Sequence, residues 1–253
     1  MLFTTSTQAA EATRRVIDVH GQRYELRGYV GASPTRGTYV EGNERNASDL
    51  PQGFLVDQPP GSVTPPHFHE TPQFQVFVGG SGRLGKKRLR PLSVQFAAGH
   101  TPYGPIVAGD DGVRYFTLRR SWDPGAKYLP AMRNRFVRGR QRQRLACNIE
   151  LQSARALGSR TRVEVATLIE PEADGLHACL VAAGPHAACE GPDPGAGGGQ
   201  YYVVVNGSLA HGDEMLPALS CLFATPDEPS PVLRAGSQGV ELLVLGFPAA
   251  DPA

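Results

Sequence analysis

Charge is scarce in this chain, and it is balanced. Only 19% of the 253 residues are charged, with 25 basic and 24 acidic side chains, so the formal net charge is +1. That balance excludes a globally basic nucleic-acid-binding protein and an acidic disordered chain. We therefore expect no nucleic acid among the partners.

Long apolar runs and paired cysteines are also lacking. No window of about 18 apolar residues occurs, which predicts no membrane-spanning helix. The first fifteen residues have no basic start followed by an apolar stretch, so no secretory signal is expected. Cys147, Cys179, Cys189 and Cys221 lack zinc-finger spacing and are predicted to be free thiols. These absences together predict a cytoplasmic protein without a membrane partner.

Helical periodicity is weak, whereas turn residues are abundant. The 30 Gly and 22 Pro residues separate many short apolar or alternating runs. Such runs at regular spacing predict an all-β sandwich or barrel, and the length allows one or two domains. The predicted strands include a hairpin at 16–19 and 24–26, and the runs 53–56, 74–78, 92–96, 113–118, 163–169, 179–183, 201–205, 219–223 and 240–245.

An internal repeat is the strongest signal in the sequence. When the chain is shifted by 127 residues, positions 73–118 align without gaps on 200–245, with 17 identities in 46 positions. Unrelated segments of ordinary composition would share roughly three. The shared residues are strand apolars and turn glycines, including Gly80 with Gly207 and Phe96 with Phe223. Two copies of one all-β unit are therefore predicted, joined between residues 120 and 160.

One short segment of the first copy carries candidate chemistry. His67 and His69 are two residues apart, so in a strand they project from one face, and Gln73 and Gln75 have the same parity. Two neutral imidazoles side by side favour a divalent transition metal, although an isolated H-x-H is a weak signal.

The wider segment resembles the first conserved motif of the cupin superfamily. From Gly61 to Gly80 it is G-x5-H-x-H-x3-Q-x6-G, with Gln73 in the position of the family's glutamate. The second copy keeps Gln200 and Gly207 at the same spacing. The resemblance implies a bicupin, which is all-β with two double-stranded β-helix (jelly-roll) barrels in one chain.

The repeat and the resemblance together predict three regions. An N-terminal barrel with the candidate metal site is predicted at 1–125, an Arg-rich connector at 126–160, and a degenerate second barrel at 161–253. The connector contains Arg133, Arg135, Arg138, Arg140, Arg142 and Arg144. A solvated connector is the favoured interpretation, with an anion-binding patch as the alternative.

The resemblance also implies a metal site in the first barrel. Its ligands would be His67, His69 and Gln73, with His100 as a further candidate, holding one divalent Fe, Zn, Mn, Ni or Cu ion. The sequence departs from the family at Gln73, which adds no negative charge, and at Pro102, which stands where the second motif has histidine. The second copy has lost both first-motif histidines, so it is expected to bind no metal.

Four further residues are predicted to contact a ligand. Gln75, Gln95, Tyr103 and Arg114 are polar side chains on or beside the strands that would line the first barrel.

Three functions stay open on the sequence alone. The first is a metal-dependent enzyme acting on a small molecule, dioxygenase-like or isomerase-like by analogy with the family. The second is a metal-free, small-ligand-binding or sensor bicupin without catalysis. A metal-free enzyme with a histidine base is a third hypothesis. The resemblance also implies a homodimer, because an exposed sheet edge favours pairing.

Overall fold

The chain is all-β, as its sequence predicts. The structure is a computed structural model that describes residues 1–139 and 141–250. The strands are β1 (Leu2–Thr5), β2 (Arg15–Val19), β3 (Gln22–Val30), β4 (Gln52–Gln58), β5 (Val63–Thr64), β6 (His67–Phe68), β7 (Gln73–Leu84), β8 (Lys87–Leu89), β9 (Ser93–Ala97), β10 (Ile106–Arg119), β11 (Lys127–Tyr128), β12 (Gln143–Ala146), β13 (Glu164–Ile169), β14 (His177–Ala183), β15 (Ala188–Glu190), β16 (Gln200–His211), β17 (Glu214–Pro217), β18 (Cys221–Ala224) and β19 (Val232–Gly246).

Helices are short and few in the described part of the chain. The α-helices are α1 (Thr7–Glu11) and α2 (Ala154–Gly158), and the 3-10 helices are Asn43–Asn46, Arg133–Arg135 and Pro194–Ala196. None of these helices has the length and apolar character needed to cross a bilayer.

The chain divides into two compact units, each a jelly-roll barrel. The unit Glu11–Ile149 is called the first barrel here, and Met1–Ala10 with Glu150–Ala253 is called the second barrel. These boundaries differ from the predicted ones at 125 and 161. Strands β11 and β12 lie in the predicted connector, yet they pair with β6 and β9 of the first barrel. The first ten residues, predicted in the first barrel, belong to the second.

The described members of the arginine cluster at 133–144 therefore lie in the first barrel. Arg142 is buried and its guanidinium lies 5.3 Å from the ring centre of Phe96. Arg135 pairs with Glu41 and Glu44 in the same barrel, whereas Arg133, Arg138 and Arg144 are exposed. Arg140 lies outside the described residues.

The first barrel is built on one large sheet. Its order is β12-β9-β7-β10-β4-β3-β2, all antiparallel, with β5 and β8 attached and the β6–β11 pair beside it. The predicted hairpin at its edge is confirmed, and its turn residues His20 and Gly21 both have positive φ. Because the strands alternate, Gln73, Gln75 and Phe77 of β7 point to one side and Phe74 and Val76 to the other.

The second barrel repeats that plan. Its sheet order is β1-β18-β16-β19-β14-β13, with β15 and β17 attached. The 127-residue shift superimposes β7 on β16 and their neighbours in the same order. Gly80 and Gly207 have φ of 67° and 69°, and a Cβ on either would lie 2.1 Å from the carbonyl oxygen of Gly112 or Gly239. The repeat thus preserves two positions that only glycine fits.

Each barrel has its own apolar core. In the first, Tyr24, Leu26, Phe54, Val56 and Phe77 belong to one cluster on the inner face. In the second, the cluster fills the equivalent inner face with residues including Tyr202, Leu222, Leu242 and Val244. Burial of each large apolar side chain contributes about 1.5–3 kcal/mol, so these clusters dominate the stabilisation of both barrels. The four cysteines are free, as predicted.

Candidate functional site

The two histidines of the H-x-H segment lie side by side in the first barrel. His67 pairs with Tyr128 across β11, and its backbone also exchanges two hydrogen bonds of 3.0 Å with Tyr103. The ring centres of His67 and His69 are 5.3 Å apart, so the two side chains lie on the same side of the strand, as their spacing of two residues predicts. Both are buried, at 3% and 8% exposure.

His67 is held as a neutral acceptor. Its Nδ1 lies 2.8 Å from the carbonyl oxygen of Pro65, so Nδ1 carries the proton and Nε2 keeps its lone pair. Burial, followed by the like charge of His69, lowers the pKa of His67 to about 3. The ring of Tyr103 packs against it, with 4.4 Å between ring centres.

His69 is oriented by a buried carboxylate. Its Nδ1 lies 2.7 Å from Oδ1 of Asp123, so the ring donates there and presents Nε2 on its other side. Burial and the positive charge of Arg119 lower the pKa of His69, and Asp123 offsets only part of that shift. His69 is therefore also neutral.

Asp123 joins two loops around the histidine. Besides His69, its carboxylate accepts hydrogen bonds from the backbone N–H groups of Glu70, Thr71 and Gly125 and from the Thr71 hydroxyl. Burial alone would raise the pKa of Asp123, but the positive charge of Arg119, the hydrogen bond from His69 and the backbone donor of Gly125 hold that pKa well below its usual range. The carboxylate is thus ionised, and it fixes the position of His69.

A buried arginine occupies the place beside this pair. Nη2 of Arg119 lies 3.1 and 3.2 Å from the two ring nitrogens of His69 and 3.0 Å from Oε1 of Gln73. Its Nε donates to the same Gln73 oxygen at 3.1 Å, and Nη1 donates to Gln52. Arg119 is 3% exposed and, as a guanidinium, always charged. The amide of Gln73 also donates to the Tyr103 hydroxyl at 2.5 Å.

Two glutamines deeper in the barrel have unpartnered amide atoms. Gln75 and Gln95 lie directly opposite one another on β7 and β9, at 3% and 1% exposure. Oε1 of Gln75 and both amide atoms of Gln95 have no hydrogen-bond partner in the protein. Each buried unsatisfied group costs about 1–3 kcal/mol, so this region is built to meet other polar groups.

These side chains surround one cavity. The centre of a water-sized sphere can occupy about 90 Å³ of it, and the cavity opens to solvent. That space limits an occupant to a small molecule. Its wall includes His67, His69, Gln75, Tyr103, Thr117, Arg119, Asp123, four tyrosines in all (Tyr24, Tyr103, Tyr115 and Tyr128) and the exposed Arg36.

Two predicted residues lie away from this cavity. His100 packs its ring against Phe68, whose side chain points opposite to the two histidines, and its Nδ1 is 3.4 Å from the backbone nitrogen of Val137. His100 therefore does not join His67 and His69. Arg114 lies on the outer face of β10, where it pairs with Asp57, because its parity is opposite to that of Arg119.

The other predicted residues take different places. Tyr103 and Gln75, which the sequence analysis expects to contact a ligand, both line the cavity. Gln73 does not line the cavity, but it is joined to two residues that do, Arg119 and Tyr103. Gln95, predicted to contact a ligand, lies opposite Gln75 on the same inner face and is not among the lining residues.

The donors present do not fit a resident metal in this arrangement. No group of three His, Cys, Asp or Glu side chains within residues 1–139 and 141–250 is placed to hold a metal ion. Of the implied ligands, the Gln73 oxygen accepts two bonds from Arg119, and His69 Nε2 lies against the same guanidinium. A permanent cation at that distance repels a dication.

Sequence reasoning missed Arg119 and Asp123. Arg119 continues the inward parity of Tyr115 and Thr117 at the end of β10, so a charged residue on a core-facing position was an available signal. Asp123 follows the last strand in a loop, and nothing local to the sequence indicates that it meets a histidine 54 residues earlier.

Comparisons with known proteins support the fold. No family model matches the chain, and no curated protein matches its sequence. Solved structures do match. A proposed dioxygenase from Nostoc punctiforme aligns with a TM-score of 0.64 at 13% identity, covering 100% of this chain and 85% of that one.

Two further structures have the same cupin fold. Quercetin 2,3-dioxygenase from Acinetobacter baumannii has a TM-score of 0.50 at 14% identity, covering 98% of this chain and 79% of that one. The bacterial pirin YhhW in complex with nickel(II), from Escherichia coli, has a TM-score of 0.50 at 11% identity, covering 99% and 100%. At these identities the likeness shows the fold.

Proposed function

We propose that the first barrel is a metal-free binding site for a small organic molecule, and that the second barrel is its degenerate, structural counterpart in a bicupin. One observation carries this proposal: the Arg119 guanidinium lies against the Gln73 oxygen and His69 Nε2, two atoms that a metal would need. The polar cavity beside them is nevertheless open. Binding of a ligand without a metal accounts for both features.

The protonation states favour binding over proton transfer. A general base works best when its pKa lies near the operating pH. The pKa of His67 is lowered to about 3, so this imidazole accepts a hydrogen bond at neutral pH and is a poor proton acceptor. Burial raises the pKa of the Tyr103 hydroxyl, which therefore stays protonated and acts as a neutral partner. Both groups are suited to orienting a ligand.

A ligand screen with a cavity-filling variant tests the proposal. Gln75→Tyr introduces the residue that the second barrel has at the equivalent position, Tyr202, and fills the cavity. Ligands from a library of small organic molecules are expected to raise the melting temperature of the wild type and of Arg114→Met, whose changed residue is on the outer face. They are expected to leave Gln75→Tyr unchanged. A library in which no compound distinguishes the wild type from Gln75→Tyr would refute the proposal.

A metal-dependent enzyme, dioxygenase-like or isomerase-like, is the second candidate. The adjacent rings of His67 and His69 favour it, and the fold is shared with a quercetin 2,3-dioxygenase and with a pirin in complex with nickel(II). It requires Arg119 to leave its present position. The implied metal would be Fe, Zn, Mn, Ni or Cu, held by His67, His69 and Gln73.

Elemental analysis separates the two candidates. The protein, purified without chelator and then incubated with each of these metals, is expected to retain none in stoichiometric amount. About one ion per chain, lost in His67→Ala, would overturn the metal-free proposal and establish the second candidate.

A homodimer is part of the same proposal. The edge strand β13 has exposed residues along most of its length, including Val165 at 62% exposure. Such an edge pairs readily with another strand. Light scattering is expected to give the mass of two chains, and the mass of one chain would contradict this.

A further inference from the structure

We infer that the ligand of the first barrel is a small aromatic acid whose carboxylate lies against Arg119 and whose opposite end donates a hydrogen bond to Gln75. This inference rests on the proposed function and adds the chemical class of the ligand. Three independent features of the cavity carry it: the sign of its wall charge, the unpartnered amide oxygen, and the spacing and surroundings of these two groups.

The charge of the cavity wall favours an anion. Arg36 and Arg119 line the cavity, and Asp123 is the carboxylate that lines it. Asp123 already accepts five hydrogen bonds, from His69, the backbone of Glu70, Thr71 and Gly125, and the Thr71 hydroxyl. A carboxylate that enters the cavity would therefore meet two positively charged arginines and one carboxylate, Asp123, whose oxygens are already hydrogen-bonded. Charge-assisted hydrogen bonds to arginine are strong.

The amide of Gln75 requires a donor. Its Oε1 is buried and has no partner in the protein, and Gln75 is one of the residues that line the cavity. Gln95 lies directly across from Gln75 on β9. Neither amide atom of Gln95 has a hydrogen-bond partner, so Gln95 does not donate to the Gln75 oxygen. A hydroxyl or amine of the ligand would supply the missing donor and remove the cost of burying this oxygen.

The strand register sets the spacing of Arg119 and Gln75 along the sheet. Arg119 is opposite Gln73, and Thr117 is opposite Gln75, so the arginine and the unpartnered amide are separated by two residues along adjacent strands. Two residues of strand correspond to about 7 Å. That length matches one benzene ring with a substituent at each end.

The surroundings of that space are aromatic. Tyr24, Tyr103, Tyr115 and Tyr128 line the cavity together with Phe54. Tyrosine rings of this kind bind flat apolar bodies by stacking and edge contacts. The guanidinium of Arg119 also lies 5.6 Å from the centre of the Phe54 ring. A para-substituted benzoate thus fits the charge, the donor requirement, the spacing and the walls.

Three probe compounds test each contact separately. These are 4-hydroxybenzoate, benzoate, which lacks the donor, and 4-hydroxybenzamide, which lacks the charge. Each is titrated by calorimetry into the wild type, Arg119→Met, Gln75→Leu and the matched control Arg114→Met, which removes an arginine from the outer face of the same strand. Arg119→Lys keeps a positive charge and provides a second variant if Arg119→Met does not fold.

In the wild type and in Arg114→Met, 4-hydroxybenzoate is expected to bind about tenfold more tightly than either comparator. Arg119→Met is expected to abolish the preference for carboxylate over amide and to keep the preference for the hydroxyl. Gln75→Leu is expected to do the reverse. Arg119→Lys should retain part of the carboxylate preference.

Three outcomes would overturn the inference. The amide could bind the wild type as tightly as the acid, none of the three probes could bind, or Arg119→Met could leave the acid-to-amide ratio unchanged. If neutral compounds stabilise the wild type but not Gln75→Tyr, the proposed function stands while this inference fails. If no compound does so, both fail.

Discussion

At four inward positions the first barrel carries a polar side chain where the second barrel has an apolar residue, a tyrosine or glycine. The pairs, related by 127 residues, are Gln75 and Tyr202, Gln95 and Leu222, Thr117 and Val244, and Arg119 and Gly246. Strand order and turn glycines are the same in both barrels. The same scaffold therefore accepts either a polar cavity or a packed core.

Gly246 shows how the second barrel closes the equivalent place. A Cβ at Gly246 would lie 2.1 Å from Cε1 of His177, so the absence of a side chain makes room for that ring. In the first barrel the same position holds Arg119. At this one position, glycine in the second barrel lets the His177 ring fill the space, whereas arginine in the first barrel places a buried charge there.

The largest expected effect comes from replacing a turn glycine that both barrels share. Gly207→Ala places a Cβ 2.1 Å from the Gly239 carbonyl oxygen, whereas Gly212→Ala, also at positive φ, meets nothing within 4 Å. Gly207→Ala should lower the free energy of unfolding by about 4 kcal/mol and Gly212→Ala by about 1 kcal/mol, in urea titrations. Gly80→Ala should match Gly207→Ala, and equal effects of Gly207→Ala and Gly212→Ala would disprove the steric account.

Exchanging equivalent inner residues between the barrels should change the free energy of unfolding in opposite directions. Leu222→Gln buries an amide in the apolar cluster and should destabilise by about 3 kcal/mol.

The reverse exchange, Gln95→Leu, removes two unpartnered amide atoms and should stabilise by about 1 kcal/mol. Both are read from urea midpoints. If Gln95→Leu destabilised the protein, the Gln95 amide would have hydrogen-bond partners in the folded state, contrary to this prediction.

Acid should weaken the first barrel through its histidines. The folded pKa of His67 is about 3, below the 6.5 of a free histidine, so as pH falls through 6.5 only the unfolded chain takes up the proton. At pH 5 this removes about 2 kcal/mol of stability relative to neutral pH.

The single tryptophan, Trp122, precedes Asp123 and reports on this barrel by fluorescence. In urea titrations followed at Trp122, His67→Gln should lose less stability than the wild type between pH 7.5 and pH 5. An identical loss in both proteins would show that His67 is not the responsible group.

The smallest effect concerns the outer face. Arg114 is 43% exposed on its side chain and pairs with Asp57. Because exposed ion pairs contribute little, Arg114→Met should change stability by about 0.5 kcal/mol and leave ligand binding intact. A marked loss of binding in calorimetry would return Arg114 to the site predicted from the sequence.

The sequence predicts the fold well because its signals are local or repeated. Alternation along β7 and β10, turn glycines at Gly80 and Gly207, and the 127-residue period each restrict the backbone directly. The hairpin at β2 and β3 is confirmed for the same reason. The domain boundaries are harder to predict, because pairing of β12 with β9 joins residues nearly 50 positions apart.

The site is only partly predictable for a related reason. Parity alone places His67 and His69 together. The arginine that changes the chemistry of the site, Arg119, acts through contacts with Gln73 and His69 that lie 46 and 50 residues away. The resemblance to a metal-binding motif predicts the ligand positions, and it carries no information about a cation on another strand.

The first strand has a consequence for how the second barrel forms. Strand β1 completes the second barrel by pairing with β18, and about 220 residues separate Leu2 from Ala224. During synthesis β1 is made before the first barrel, and the whole first barrel follows before β18 exists. Pairing over so long a separation is slow, so the second barrel should reach its final form only after β18 has been made. Deleting residues 1–5 should therefore disturb the second barrel, although the first barrel is the unit that follows them in the chain.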